Sequence, residues 1–318
     1  MDQPPATPSP APAEKPTPQA AKHDASAPAI GVCGVPAAAP APANPAKPAR
    51  PHVVEFRGVT KTFAAGTRRE YTAIKDVSFC VEDLEDVGEL IAVLGPSGCG
   101  KSTVLKLIAG LEPQFPPTTG EVLVLGQPVT GPGADRGMVF QEYSAFDNRT
   151  VLDNVAFGLE CRGVKRAERH ERAMEWIGKV GLDPKKDATK YPHQLSGGMR
   201  QRVAIARSLI LNPRILLMDE PFGALDPMTR LRMQDLLIKL WEAAEATVFF
   251  VTHSIEEAVF LGDRIYVFSN PPGTILEQCF APRPDRPAIE SQALPEFSER
   301  VKYIRSKIAK MEEQAGIL

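Results

Sequence analysis

One glycine-rich segment, residues 95–102, constrains the fold more than any other part of this 318-residue sequence. It reads Gly-Pro-Ser-Gly-Cys-Gly-Lys-Ser and fits the pattern G-x-x-x-x-G-K-[ST] at every fixed position. The apolar run 89–94 before it is typical of a buried parallel strand, and residues 103–109 after it have helical character. Because glycines let the backbone bend around an anion and the N–H groups of a helix start point toward it, this context predicts a phosphate-binding loop.

Two side chains of this loop have specific chemistry toward a nucleotide. We expect Lys101 to reach the β- and γ-phosphates and the Ser102 hydroxyl to bind Mg²⁺. Cys99 lies at the helix N-terminus, a setting that lowers the pKa of a thiol, so we expect its alkylation to block nucleotide binding and bound nucleotide to protect it. The alternative is that Cys99 is merely a small residue tolerated in the loop. The predicted phosphate-binding residues are Gly95, Pro96, Ser97, Gly98, Cys99, Gly100, Lys101, Ser102 and Thr103.

The composition argues against several classes of protein. The formal net charge of −2 and the pI near 6.3 give no basic excess for nucleic-acid binding. No apolar run approaches the ~18–20 residues of a membrane span, and the N-terminus lacks the basic and apolar regions of a signal peptide. The five cysteines are scattered without a C-x-x-C pair, which favours a reducing cytosol over a disulfide framework or a zinc site.

The pattern along the chain predicts a tail followed by an α/β fold. Residues 1–51 are rich in proline and alanine, and we expect a disordered or polyproline-like tail there, with a docking role for its proline-rich stretches as the alternative. From residue 53 onward short strands alternate with helices, which indicates an α/β core with a parallel sheet. Residues 53–63 are predicted to form an edge-type strand. Residues 281–294 should be irregular, and 296–313 should form a final helix.

Acidic and imidazole side chains follow two predicted central strands. Residues 215–218 are apolar and are followed directly by Asp219 and Glu220, and the apolar run 247–252 is followed by His253. Strands that end in such residues deliver them to the carboxyl edge of the sheet, where open α/β sheets bind ligands. We therefore expect Asp219 to hold Mg²⁺, Glu220 to polarise an attacking water, and His253 to contact the γ-phosphate.

A second anion-binding helix start is predicted at residues 195–199, Leu-Ser-Gly-Gly-Met. Ser196 is a favourable N-cap, and Gly197 and Gly198 allow the backbone to approach a phosphate closely. We expect this segment to lie outside the site formed by the phosphate loop of its own chain, although it lies shortly before the Asp-Glu strand.

These motifs together resemble the nucleotide-binding subunit of an ATP-binding-cassette transporter, over roughly residues 53–280. The resemblance implies a P-loop NTPase core with a parallel sheet, an antiparallel β-subdomain and a helical subdomain at about 142–200, all within an ATPase domain of residues 52–280. Residues 281–318 would be a proline-rich linker and C-terminal helix. Residues 95–102 look like the Walker A loop and 215–220 like Walker B.

The resemblance also assigns roles to residues outside the two Walker motifs. Gln141 would be the Q-loop glutamine that touches Mg²⁺ and senses the membrane partner, and His253 would be the switch histidine. Phe63 lies at the position where family members stack an aromatic ring on adenine. The alternative is that Phe63 is an aromatic residue of the hydrophobic core. The signature motif, which closes over the nucleotide of the opposing subunit, corresponds to Ser196, Gly197, Gly198 and Met199. The D-loop at the dimer interface corresponds to residues 224–226, which end in Asp226.

The family implies an assembly and a setting in the cell. Two cassettes, expected to be identical, would enclose two ATP molecules with Mg²⁺ on the cytoplasmic face of the inner membrane. They would contact transmembrane permease subunits and serve a separate solute-binding protein, with no nucleic acid involved. The segment 268–275 resembles importers of nitrate, aliphatic sulfonates and taurine, so transport of a small anion is expected.

Several segments depart from the common family pattern, and two other classes compete with the transporter interpretation. Met199 replaces the more familiar Gln, Ser254 replaces Asp, and 147–149 replaces a Pro-Trp pair near the membrane partner. A soluble cassette acting on ribosomes or DNA usually has a second cassette or a long coiled coil, which this chain lacks. A non-catalytic cassette would not need intact Lys101, Asp219, Glu220 and His253.

Overall fold

The computed structural model describes residues 52–83, 88–142, 145–244 and 246–314, apart from the side chains of residues 311, 312 and 314. The predicted tail, 1–51, lies outside the described residues, as do residues 84–87. The strands are β1 (His52–Phe63), β2 (Tyr71–Glu82), β3 (Leu90–Leu94), β4 (Thr119–Val124), β5 (Gln127–Pro128), β6 (Arg136–Val139), β7 (Ile215–Asp219), β8 (Thr247–Thr252), β9 (Arg264–Phe268) and β10 (Ile275–Phe280). The helices are α1 (Lys101–Ala109), α2 (Val151–Cys161), α3 (Arg166–Lys179), α4 (Pro184–Asp187), α5 (Gly197–Leu209), α6 (Pro227–Glu242), α7 (Ile255–Leu261), α8 (Ala288–Ser291) and α9 (Pro295–Gln314).

A six-stranded sheet in the order β10-β9-β3-β8-β7-β6 forms the centre of the fold. Its strands are parallel except for β10, which pairs antiparallel with β9 at one edge. Every residue of β3, β7 and β8 is buried, as expected for strands covered on both faces. This confirms the prediction of central parallel strands at 215–218 and 247–252, and it aligns the ends of β3, β7 and β8 at one edge.

A smaller four-stranded antiparallel sheet has the order β2-β1-β4-β5. Strand β1 pairs with both β2 and β4, so the prediction that residues 53–63 form an edge strand is wrong. The alternation in β1 has a different cause: one of its faces, with Val54 and Phe56, packs into the hydrophobic cluster that also contains α1. Alternating burial along a strand indicates that only one face of its sheet is buried. Whether the strand is at the edge or inside the sheet depends on which strands it pairs with.

The helical region 151–181 resolves into α2 and α3, with Gly163 in the left-handed region (φ 73°) between them. These two helices pack against each other and against α5. The second hydrophobic cluster joins them to the other face of the central sheet. The fold thus combines an α/β core, an antiparallel sheet and a helical region, which confirms the predicted fold class.

The C-terminal region is partly more regular than expected. Helix α9 matches the helix predicted at 296–313 and packs against α7. Residues 281–294, however, were predicted to be irregular and contain the short helix α8. The reason is tertiary: the Ala288 N–H at the start of α8 donates to the Asp235 carboxylate of α6 at 2.7 Å, a contact that sequence spacing does not reveal. In the part of the chain that the structure describes, no helix is long and apolar enough to cross a bilayer.

Candidate active site

The phosphate loop connects the end of β3 to the start of α1. Gly98 (φ 80°) and Gly100 (φ 90°) have left-handed backbone conformations that favour glycine. A Cβ on Gly100 would lie 2.7 Å from the carbonyl oxygen of Ala73, so this position also needs glycine for space. The Lys101 ammonium donates to the carbonyl oxygens of Gly95 (2.9 Å) and Pro96 (2.8 Å), which keeps the cation folded against the loop.

Ser102 and Asp219 meet as the sequence predicts. The Ser102 hydroxyl, in the first turn of α1, donates to Asp219 Oδ1 at the end of β7 at 2.8 Å. Burial raises the pKa of Asp219, opposed chiefly by this hydrogen bond. A hydroxyl and a carboxylate are hard oxygen ligands, and Mg²⁺ typically takes one or two carboxylates together with substrate phosphates. This pair therefore fits Mg²⁺, although the described residues contain no cluster of three or more His, Cys, Asp or Glu side chains suited to a metal.

Glu220 lies close to two other predicted site residues, Gln141 and His253. Its Oε2 atom lies 3.4 Å from Gln141 Nε2 and 3.3 Å from His253 Nδ1. Glu220 follows β7 with a φ of 44°, an uncommon conformation for a residue with a side chain, and its N–H donates to the Val251 carbonyl at 3.1 Å. Strained backbone of this kind is often found at functional sites. The sequence predicted the three side chains but gave no signal for the positive φ.

The prediction for Cys99 is wrong in its electrostatics. The Cys99 side chain is buried, and burial raises the pKa of its thiol, outweighing the opposing charge of Lys101. A helix N-terminus lowers the pKa of a thiol, but burial in apolar surroundings raises it, and at Cys99 the effect of burial is the larger. Here the sulfur faces inward, close to where a Cβ on Gly95 would be, so Cys99 acts as a small packing residue of the loop.

The structure adds Tyr71, a residue that sequence reasoning missed. Phe63, at the end of β1, lies directly opposite Tyr71, at the start of β2. The Tyr71 hydroxyl donates to the carbonyl oxygen of Gly98 at 2.8 Å, so it links this end of the antiparallel sheet to the phosphate loop. Phe63 is thus the strand partner of a residue that contacts the loop. Only the pairing of β1 with β2 could have identified Tyr71, because nothing in the sequence sets it apart.

The start of α5 has the predicted cap. Ser196 Oγ accepts from the Met199 N–H at 3.3 Å, and Asp226 Oδ1 caps α6 by accepting from the Thr229 N–H at 3.0 Å. Among the described residues, no hydrogen bond or ion pair joins Ser196, Gly197 or Gly198 to the phosphate loop. Within one chain, the structure brings Lys101, Ser102, Gln141, Asp219, Glu220 and His253 to one sheet edge and leaves the α5 start outside that network.

Comparison with known proteins agrees with this arrangement. Residues 74–223 match the family model described as ABC transporter. The nitrate import ATP-binding protein NrtD of Synechocystis sp. is 49% identical over 222 residues, which cover 70% of this chain and 80% of that protein. The taurine import ATP-binding protein TauB of Rhizobium johnstonii is 47% identical over 258 residues, covering 79% of this chain and 94% of that protein.

Solved structures give the same result. A post-hydrolysis dimer of the ATP-binding cassette MJ0796 bound to ADP and Pi matches with a TM-score of 0.61 and 35% identity, over 72% of this chain and 99% of that one. The chain belongs to the family of ATP-binding subunits of ABC transporters. It binds ATP, and it is an ATPase.

Proposed function

We propose that this ATPase powers the uptake of a small anion of the nitrate, sulfonate or taurine type through a separate permease. The similarity to the nitrate importer subunit NrtD and to TauB supports the importer branch. The proposed ATP hydrolysis rests on one observation: Gln141 and His253 both lie close to the Glu220 carboxylate, next to the Ser102–Asp219 pair. The proposed location is the cytoplasmic face of the membrane, with the permease as the anchor.

The geometry suggests a division of labour among the side chains. Lys101 and the amides of the loop bind the phosphates, and Phe63 stacks on the adenine. Glu220 accepts the proton of a water whose oxygen attacks the γ-phosphorus; the bond to the bridging oxygen breaks, and ADP and phosphate are released. His253, whose side chain is 56% exposed, is free to contact the γ-phosphate. Ser102, Asp219 and Gln141 would hold Mg²⁺, which would neutralise charge on the phosphates.

The proposed active form contains two cassettes. Ser196, Gly197 and Gly198 form a capped, glycine-rich helix start outside the network of their own chain, and a second cassette packed head to tail would bring this start to the γ-phosphate. The similarity to a dimeric cassette structure supports this arrangement. Met199 and Asp226 would then lie at the dimer interface.

Glu220→Gln tests the catalytic assignment. We expect ATPase turnover of the purified cassette–permease complex to fall about 10²- to 10⁴-fold, the range for loss of a general base, with ATP still bound. Phosphate release and equilibrium nucleotide binding measure the two effects separately. The matched control is Glu242→Gln, at the far end of α6. Turnover by Glu220→Gln equal to that of the wild type would refute the assignment.

The transport assignment needs its own experiment. The chain is purified with its permease from native membranes, and the ATPase rate of the complex in vesicles is measured with nitrate, taurine and an alkyl sulfonate, each with the co-purified solute-binding protein. We expect one of these anions to stimulate hydrolysis and to accumulate in the vesicles. Active hydrolysis without any associated permease would favour the competing class, a soluble cassette ATPase.

A further inference from the structure

A buried carboxylate, Glu257, lies directly behind the loop that carries His253. Its residue is only 5% exposed, although it is the third residue of the short helix α7. Burial raises the pKa of Glu257, while the Thr252 hydrogen bond and the charge of Arg230 oppose this shift. A buried carboxylate is costly unless it is paired, so its partners show what this group holds in place.

Glu257 fixes the His253 loop from both sides. The Thr252 hydroxyl donates to Glu257 Oε2 at 2.6 Å, and the same hydroxyl oxygen accepts from the Ser254 N–H at 3.0 Å. On the other side, Ser254 Oγ accepts from the Glu257 N–H at 3.2 Å and caps α7. The residues before and after His253 are therefore both tied to Glu257, whereas the imidazole itself remains exposed next to Glu220.

The other carboxylate oxygen faces α6. Glu257 Oε1 lies 3.6 Å from Arg230 Nε, a distance too long for a hydrogen bond but short enough for an ion pair. Arg230 Nε is buried and has no hydrogen-bond acceptor. A movement of about 0.7 Å would bring the two atoms to the ~2.9 Å of a charge-assisted hydrogen bond. The pair is thus close to, but not in, its strongest geometry.

Arg230 reaches the predicted dimer face at its other end. Its Nη2 group donates to the carbonyl oxygen of Leu225 at 3.2 Å. Leu225 belongs to the segment 224–226 that the sequence predicts at the interface between cassettes, and the Arg230 N–H donates to the Asp226 carbonyl at 2.9 Å. Arg230 therefore spans the distance between that segment and Glu257.

We propose that Arg230 and Glu257 are positioning residues that couple the 224–226 segment to His253. Movement of Leu225 during closure of two cassettes shifts Arg230 toward Glu257, and the Thr252–Glu257 bond passes this shift to the loop of His253. Hydrolysis would then require both an occupied site and a closed interface. This inference rests on the proposed dimeric function and adds two residues that do not themselves touch the nucleotide.

Glu257→Gln and Arg230→Met test the coupling in the complete cassette–permease complex. We expect each to lower the turnover number about 10- to 100-fold, the range for a small misplacement of a catalytic group, with the affinity for ATP unchanged. The double variant should be no slower than the slower single variant, because both changes break one connection. Glu242→Gln and Arg232→Met are the controls, since both change exposed side chains of α6 that do not contact the His253 loop, and both should retain wild-type turnover.

A His253→Ala background separates coupling from simple loss of stability. If Glu257 acts through His253, adding Glu257→Gln in that background should lower turnover no further. A further large decrease there, or wild-type turnover in Glu257→Gln and Arg230→Met, would overturn the coupling. A loss of ATP affinity or of the folded state in urea titrations would also overturn it. Failure of the proposed function looks different, because the wild-type complex itself would then show no transport-linked hydrolysis.

Discussion

The starts of α1 and α5 are both rich in glycine, yet the structure uses them differently. At α1 the cap is Gly100 in a left-handed conformation without a side-chain hydrogen bond, and Lys101 and Ser102 are engaged by neighbours in the same chain. At α5 the cap is Ser196 in an extended conformation, which accepts from the Met199 N–H.

The difference lies in what each helix start contacts within one chain. The α1 start follows the buried strand β3 and contacts Asp219 at the end of β7, which is separated from β3 by β8, so its geometry is fixed by the core of the sheet. The α5 start contacts α6, where a Cβ on Gly198 would lie 2.9 Å from Thr229 Cγ2. A helix start that is capped but not joined to the phosphate loop is suited to acting on a ligand held by another molecule.

Among the changes that compare the two helix starts, Lys101→Met at the start of α1 should have the largest effect. Lys101→Met removes a cation that would bind phosphate, and charged hydrogen bonds are worth about 1.5–3 kcal/mol. We therefore expect the Kd for ATP to rise about 10- to 150-fold. Equilibrium binding of a fluorescent ATP analogue measures it, with Lys302→Met on α9 as the control. Unchanged affinity would show that the loop amides alone hold the phosphates.

Gly100→Ala should destabilise the fold more than Gly98→Ala, although both positions have positive φ. The left-handed conformation costs an alanine about 1–2 kcal/mol at either position. At Gly100 the new Cβ also meets the Ala73 backbone, whereas at Gly98 no atom lies within 4 Å. We expect a loss of about 3 kcal/mol or more at Gly100 and about 1 kcal/mol at Gly98 in the free energy of unfolding. Urea titration measures both, and equal losses would contradict the packing argument.

Cys99 should be alkylated more slowly than the exposed cysteines Cys80 and Cys161. Its pKa is raised, so at neutral pH the thiol stays protonated and unreactive, and its labelling rate should increase as the pH rises toward that pKa. Cys80 and Cys161 are exposed and serve as internal controls in the same sample. Mass spectrometry after iodoacetamide treatment should find labelling of Cys99 slower by on the order of tenfold or more. Faster labelling of Cys99 than of Cys80 would restore the original prediction of a reactive thiol.

The smallest effect is expected at the cap of α5. Ser196→Ala should cost about 1 kcal/mol, equivalent to about a fivefold change. If the α5 start completes the site of a second cassette, ATPase turnover should fall about fivefold while ATP affinity is retained. Thr150→Ala is the matched control, since Thr150 caps α2 in the same way by accepting from the Asp153 N–H. Equal turnover in the two variants would mean that the α5 cap serves stability alone.

Much of the site could be predicted from the sequence because its chemistry is local. The loop pattern before Lys101 and the acids after an apolar strand specify both their residues and their positions on a sheet edge. The errors have a common origin in contacts between distant segments. The inner position of β1, the tertiary cap of α8 by Asp235 and the inward-facing sulfur of Cys99 all depend on which elements pack together.

The sequence alone determined which residues are expected to carry the chemistry, since glycine spacing, apolar runs and the residues that end them are properties of single segments. Only the tertiary structure decided how these residues meet. It placed Gln141 and His253 close to the Glu220 carboxylate and linked Tyr71 to the phosphate loop. It also placed Glu257 between Arg230 and Thr252. The physical reason is that strand pairing and helix packing join residues far apart in the chain, and no local pattern contains that information.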